Sequence, residues 1–178
     1  HPFRVTDDLI VTPVWEPTPE IANENDTILL IEPGSAFGTG THETTRLCMT
    51  SLRSYIHKDT RIMDAGCGSG ILAIAALLYG AKNAFCLDID PSAVTGTLEN
   101  AERNHIAADR IRAIHGNILE DSAAIKAECP EPFDVVVANI LADVIIPLSG
   151  MIRPFLKPDG IFISSGILAS RGDDVRKA

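Results

Sequence analysis

The sequence predicts an α/β three-layer sandwich built on a mostly parallel sheet. Three observations carry that prediction. From residue 61 onward, apolar strand patterns alternate with helical patterns. The first of those strands runs directly into a turn with three glycines in seven residues, Asp64-Ala65-Gly66-Cys67-Gly68-Ser69-Gly70. The fourth carries Val135-Val136-Val137, an apolar run suited to burial on both faces, as a parallel sheet covered by helices requires.

Residues 1–33 read as an extended lead-in, with short strands at Ile10-Val11 and Thr27–Ile31. Between them Pro13, Pro17 and Pro19 exclude a helix. Residues 34–178 read as the ligand-binding part of what is expected to be one globular domain. A polar helix is expected over Glu43–Tyr55. Arg61–Asp64 is the first core strand. Ile71–Tyr79 is a strongly apolar helix closed by Gly80. Ala84–Asp88 is the second strand, and Pro91, favoured in a first helical turn, opens a helix through Asn104. Arg110–Ile114 is the third strand, Asp121–Glu128 a short helix and Asp134–Ala138 the fourth strand. A helix over Ala142–Leu156, a turn at Lys157-Pro158-Asp159-Gly160 and a fifth strand at Ile161–Ser165 follow, with a helix expected from Ala169. This repeat is Rossmann-like, and ligands in such sheets bind beyond the carboxyl ends of the strands, at the switch point. The positions that matter are therefore Asp64 to Gly70, Asp88 to Asp90, Gly116-Asn117 and Asn139-Ile140-Leu141.

The 178 residues suffice for one domain with a real core. The formal charge of −9 argues against a broad nucleic-acid surface, which needs clustered Lys and Arg. No apolar run approaches the ~20 residues of a membrane span, and His1-Pro2-Phe3-Arg4 shows no signal-peptide pattern. The expectation is a cytoplasmic protein, monomeric, with no membrane partner. Cys48, Cys67, Cys86 and Cys129 form no C-x-x-C pair, so neither a disulfide framework nor a metal site is expected.

Two ligands use such a glycine turn, a dinucleotide and S-adenosylmethionine. A dinucleotide site wants G-x-G-x-x-G over a helix N-terminus. Here the run is G-C-G-S-G-I, with the third glycine one place early, and Asp64 ahead of it would repel a pyrophosphate. S-adenosylmethionine carries a sulfonium and an ammonium and no phosphate, so Asp64 can balance its charge. Gly66, Gly68 and Gly70, with the small Cys67 between them, let backbone approach the ligand. Asp88, 18 residues after Gly70, can take both ribose hydroxyls, with Ile89 beside it and Asn117 at the next strand end. A second glycine segment, Pro33-Gly34-Ser35-Ala36-Phe37-Gly38-Thr39-Gly40-Thr41-His42-Glu43-Thr44-Thr45, runs into the polar helix. It can cap a ligand with hydroxyls and N–H groups, or it is a flexible lead-in to a helix capped by Thr41. Residue chemistry leaves both readings open.

Together "PGSAFGTGTHETT", "DAGCGSGILAIAA", "DIDP" and "VVANILA" resemble the ribosomal protein L-eleven methyltransferases, the PrmA family, over roughly residues 3 to 170. The threonine-glycine segment is particular to that family; the glycine turn alone indicates only a class I methyltransferase. The resemblance implies a seven-stranded S-adenosylmethionine-dependent fold, whose last strands are expected beyond residue 178. It also implies a small α/β domain ahead of residue 1 and methyl transfer to lysine ε-amino and α-amino groups of ribosomal protein L-eleven. By motif matching, Thr45, Gly66, Asp88 and Asn139 would contact the cofactor, and Phe37, Thr39, Gly40, Thr41 and His42 would lie near it. Ser35 and Glu43 stand where the family has an apolar residue and a proline.

Methyl transfer from a sulfonium is an in-line displacement, in which alignment supplies much of the rate. A lysine must first lose a proton, and a desolvating pocket lowers its pKa. Asn139 would orient the amine, and His42 is a candidate base. Asn139-Ile140-Leu141-Ala142 lacks the prolines and aromatic of the Asn-Pro-Pro-Tyr tetrapeptide, which disfavours an amide or base nitrogen. A plainer role for Asn139 is a cap on the next helix. Asp90 reads as a cap ahead of Pro91, and His57, His105 and His115 have no partner in the pattern. The alternatives are a methyltransferase acting on another protein or a small molecule, a nicotinamide-dependent dehydrogenase domain, or a cofactor-binding module without catalysis.

Overall fold

The computed structural model describes residues 1–17, 19–32 and 43–165. Phe37, Thr39, Gly40, Thr41, His42 and the helix expected from Ala169 lie outside them. The chain opens with β1 (Phe3–Thr6), β2 (Leu9–Pro13) and β3 (Thr27–Ile31), which form a small sheet in that order, antiparallel then parallel. Helix α1 (Glu43–Tyr55) follows, then β4 (Arg61–Ala65), α2 (Ile71–Leu78), β5 (Asn83–Asp88) and α3 (Pro91–Arg103). The remainder is β6 (Ile111–His115), α4 (Ser122–Glu128), β7 (Phe133–Asn139), α5 (Ala142–Met151) and β8 (Leu156–Ser165). The main sheet is parallel throughout, in the order β6-β5-β4-β7-β8. The chain moves outward from β4 through β5 to β6, then returns to the other side of β4. The switch point is the gap between β4 and β7.

Alternation along the strands makes the layers. Ile62, Cys86, Val135 and Val137 enter one core with Met49 and Leu52 of α1, Ile74 of α2, and Leu9 and Leu29 of the small sheet. Met63, Phe85, Phe133 and Val136 enter the other core with Ile125 of α4 and Leu148 of α5. The strands are therefore apolar on both faces, as expected of a parallel sheet between helices. Helix α2 is buried almost all round and needs no polar stripe. Gly80 ends it by sending its N–H to Leu77 O at 3.1 Å, while Ala81 N–H reaches Ala76 O at 3.0 Å. Asp90 caps α3 as expected, accepting from Ser92 N at 2.8 Å ahead of Pro91.

The structure departs from the sequence reading in four places. The lead-in has a strand the pattern did not reveal, β1, which Arg4 ties back through a two-pronged pair with Asp26, both contacts at 2.7 Å. The third core strand starts at Ile111, after a turn of 3-10 helix over Ala108–Arg110. The helix expected to reach Leu156 stops at Met151. Pro154 cannot donate a helical N–H and disfavours helical backbone at Arg153, so Arg153–Phe155 tighten into a 3-10 turn. The turn expected at 157–160 lies inside β8. There β7 advances two residues, from Phe133 to Val135, while β8 advances five, from Leu156 to Ile161. Lys157 Nζ holds the irregular stretch to Asp134 at 2.6 Å.

Candidate functional site

The carboxyl ends of β4, β5 and β7 converge on the glycine turn. Strand β4 ends at Ala65, and the chain reverses through Gly66 at φ +79°, a conformation that side chains resist. A Cβ on Gly66 would lie 2.5 Å from Ile140 Cγ2, and one on Gly70 would lie 2.8 Å from Thr97 Cγ2. Glycine is thus required at both positions by backbone conformation and by contact. Gly66 and Cys67 donate to Leu87 O at 2.8 and 3.1 Å, which fastens the turn to the end of β5.

Asp88 completes that fastening. One carboxylate oxygen accepts from Gly68 N and the other from Asp90 N, each at 2.9 Å. Both oxygens are fixed in position and each keeps acceptor capacity for a further donor. Ile89, next along, is 70% exposed, an apolar side chain on the rim. His115, opposite Asp88 in the ladder, places Nε2 3.0 Å from Ile89 O, so this histidine does have a partner. Asn117 Oδ1 accepts from Leu119 N at 3.1 Å in the turn leading to α4.

Asp64 sits below the turn, 1% exposed. Its Oδ2 accepts from Ala73 N at 3.2 Å, in the first turn of α2, and its Oδ1 has no hydrogen-bond partner among the described residues. Burial, with the Asp88 charge as a smaller contribution, pushes this carboxyl up to about 7. Cys67 Sγ lies 3.3 Å from the Thr97 hydroxyl oxygen. The neighbouring Cys86 thiol is held well above the ordinary range by its hydrogen bond with Cys67 and by burial, which makes it a poor nucleophile.

On the other side of the switch point, Asn139 ends β7. Its Nδ2 donates to Thr45 Oγ1 at 3.0 Å across 94 residues of sequence. Thr45 is buried in the first turns of α1. Asn139 does not cap α5, whose N-cap is Leu141 without a side-chain bond. The two motifs that carry Thr45 and Asn139 therefore meet at one point. Thr97 and Asn100 also bear on the turn, and the sequence reading passed over them; Ile140, at a strand end that it did mark, packs on Gly66. The signal for the first two was a polar pair on the inward, alanine-lined face of α3.

The family model for ribosomal protein L11 methyltransferase (PrmA) matches residues 1–178. The chain belongs to this family. A ribosomal protein L11 methyltransferase from Lachnospira eligens is 45% identical over 178 residues, covering 100% of this chain and 55% of that protein. One from Lachnoclostridium phytofermentans is 42% identical over 190 residues, covering 99% of this chain and 57% of that protein. The chain spans about half the length of these curated PrmA relatives. The crystal structure of a ribosomal protein L11 methylase from Lactobacillus delbrueckii subsp. bulgaricus superposes with a TM-score of 0.86 at 32% identity. That match covers 99% of this chain and 86% of that one. The Rossmann-like layering is thus that of the family.

Proposed function

We propose that this chain is the S-adenosylmethionine-binding part of a methyltransferase that acts on amino groups of ribosomal protein L-eleven. The observation that carries the reading is Asp88, a carboxylate held by Gly68 and Asp90 at the end of β5. There it can accept a ribose diol. Asp64 supports the fit, because a buried carboxylate with an orphaned oxygen suits a cationic ligand better than a pyrophosphate. S-adenosylmethionine bound there would supply an electrophilic methyl group, with the sulfonium sulfur leaving as a neutral thioether.

The chain's own residues do the positioning. The glycine turn admits the ligand close to backbone. Ile89 offers an apolar wall for a flat ring. Asn139, with its Nδ2 committed to Thr45, presents Oδ1 as an acceptor for an amine N–H. That polarity suits a lysine ε-amino or an α-amino group, and it orients the nitrogen lone pair away from the amide. Ile140 and Leu141 follow Asn139, so no aromatic stands there to stack on a planar base. The relatives' names support this substrate, and a cytoplasmic setting agrees with it. Among the described residues no helix is long and apolar enough to cross a membrane.

Calorimetric titration with S-adenosylmethionine and, separately, with NAD tests the cofactor. Binding of the former alone, lost in Asp88→Ala, is the expected result; tight NAD binding would replace this reading with a dehydrogenase. Mass spectrometry of ribosomal protein L-eleven after incubation with chain and cofactor tests the substrate, with mass gained in steps of one methyl on lysine or the N-terminus.

A further inference from the structure

Helix α3 turns a polar column inward. Thr97 and Asn100 are both fully buried, and Asn104 follows one turn later. Buried polar side chains on a helix face that packs on a sheet are costly unless every donor and acceptor is used. Here they are used on two other elements at once. Thr97 Oγ1 donates to Gly68 O at 3.1 Å, inside the glycine turn. Asn100 spends all four of its hydrogen-bonding capacities. Its Nδ2 donates to Ser69 O at 2.9 Å and to Glu32 O at 3.0 Å; its Oδ1 accepts from Glu32 N at 3.0 Å and from Arg103 Nη1 at 3.1 Å. Asn104 treats Leu30 the same way, with contacts of 2.8 Å to its N–H and 2.6 Å to its carbonyl. The two amides therefore run along the outer edge of β3 as a partner strand would. Arg103 also closes on the Glu32 carboxylate at 2.6 Å.

Glu32 directly follows β3, and Ser69 lies in the turn proposed to hold the cofactor. Asn100 is the one side chain among the described residues shown bonding to both. Asn104 reaches β3 alone and Thr97 reaches the turn alone. We propose that Asn100 is a positioning residue: it sets the exit of β3 against the glycine turn, so that ligand at the turn stabilises the exit, and the exit shapes the turn. The inference deepens the cofactor reading above and rests on it for the identity of the ligand.

The test combines amide hydrogen exchange with calorimetry on the chain. Asn100→Asp keeps the shape and replaces the two donors to Glu32 O and Ser69 O with an acceptor. Without ligand, exchange at Gly68 N–H should quicken about tenfold in the variant, although that group bonds to Asp88 and not to Asn100. With S-adenosylmethionine, the wild type should show slower exchange at Glu32 N–H. The variant should lose that response and bind about tenfold more weakly. Asn104→Ala should quicken exchange at Leu30 and leave affinity within about threefold. If Asn100→Asp does not fold, Arg103→Ala removes one Asn100 bond at the surface and should quicken exchange at both Glu32 and Gly68. Unchanged Gly68 exchange, or Glu32 exchange indifferent to ligand in a wild type that binds, would overturn the proposal. A wild type that takes up no S-adenosylmethionine while Gly68 still responds to the substitution refutes the cofactor reading and leaves the strut standing.

Discussion

Asp64 makes the stability of this chain depend on pH in a direction opposite to that of most carboxylates. It is 1% exposed, one oxygen has no partner among the described residues, and its carboxyl is pushed up to about 7, against 3.8 for an ordinary Asp. The folded state therefore binds a proton that the unfolded chain releases, and stability falls as pH rises between those two values. At 1.36 kcal/mol per unit, linkage gives a loss of about 2.6 kcal/mol from this one group between about pH 5 and pH 8. Asp64→Asn keeps the acceptor for Ala73 N and removes the titration. It places an NH2 where Oδ1 was unpaired, so it should cost stability at low pH and gain on the wild type as pH rises. Urea unfolding of both proteins at the two pH values measures the difference directly. The wild-type curve should drop relative to the variant by roughly 2–3 kcal/mol. Parallel pH dependence of the two proteins would refute the reasoning, because it would mean that Asp64 is already ionised and compensated in the folded state.

Gly66→Ala should destabilise by about 2–4 kcal/mol, combining left-handed backbone with overpacking on Ile140; adding Ile140→Ala should recover about 1 kcal/mol of it, and strict additivity in urea unfolding would contradict the contact. Thr45→Val, which preserves shape and removes the partner of Asn139, should lower methyl transfer about tenfold while moving S-adenosylmethionine affinity less than about threefold. Equal losses in both quantities would place Thr45 in cofactor binding instead. Asp26 is held down to about 2, first by the Arg4 hydrogen bond. Its folded value lies below the unfolded one, so its contribution is present above the ordinary Asp range and disappears as pH falls through about 2. Arg4→Met should flatten the acid limb of a thermal stability profile over that window, and an unaltered limb would show that the pair contributes nothing there.

What was legible in the sequence and what was not separates along a physical line. A strand's burial is written in its own residues: Val135-Val136-Val137 must be covered on both sides, and the sheet follows. The candidate site was legible for the same local reason. Asp64, Gly66, Asp88 and Asn139 stand at strand ends, where a parallel sheet collects its ligand-facing groups. The helix through Leu156 failed at a local signal that was available, Pro154. Strand β1 failed because four half-buried residues carry almost no pattern, and Asp26, the ion-pair partner of Arg4, lies 22 residues away. Thr97 and Asn100 show the deeper limit. A polar residue on a helix reads as a solvated one unless its opposite surface is known. Here that surface is backbone: Gly68 and Ser69 carbonyls and the edge of β3. Backbone carbonyls belong to every residue, so nothing in the composition of the turn or of β3 announces that it needs an amide partner. Asn139 and Thr45 pose the same problem at longer range, since only the return of the chain across β4 brings them together. Polar groups that serve backbone, or that pair across a switch point, become visible only once topology is fixed. They are also the groups through which one loop of the site can sense another.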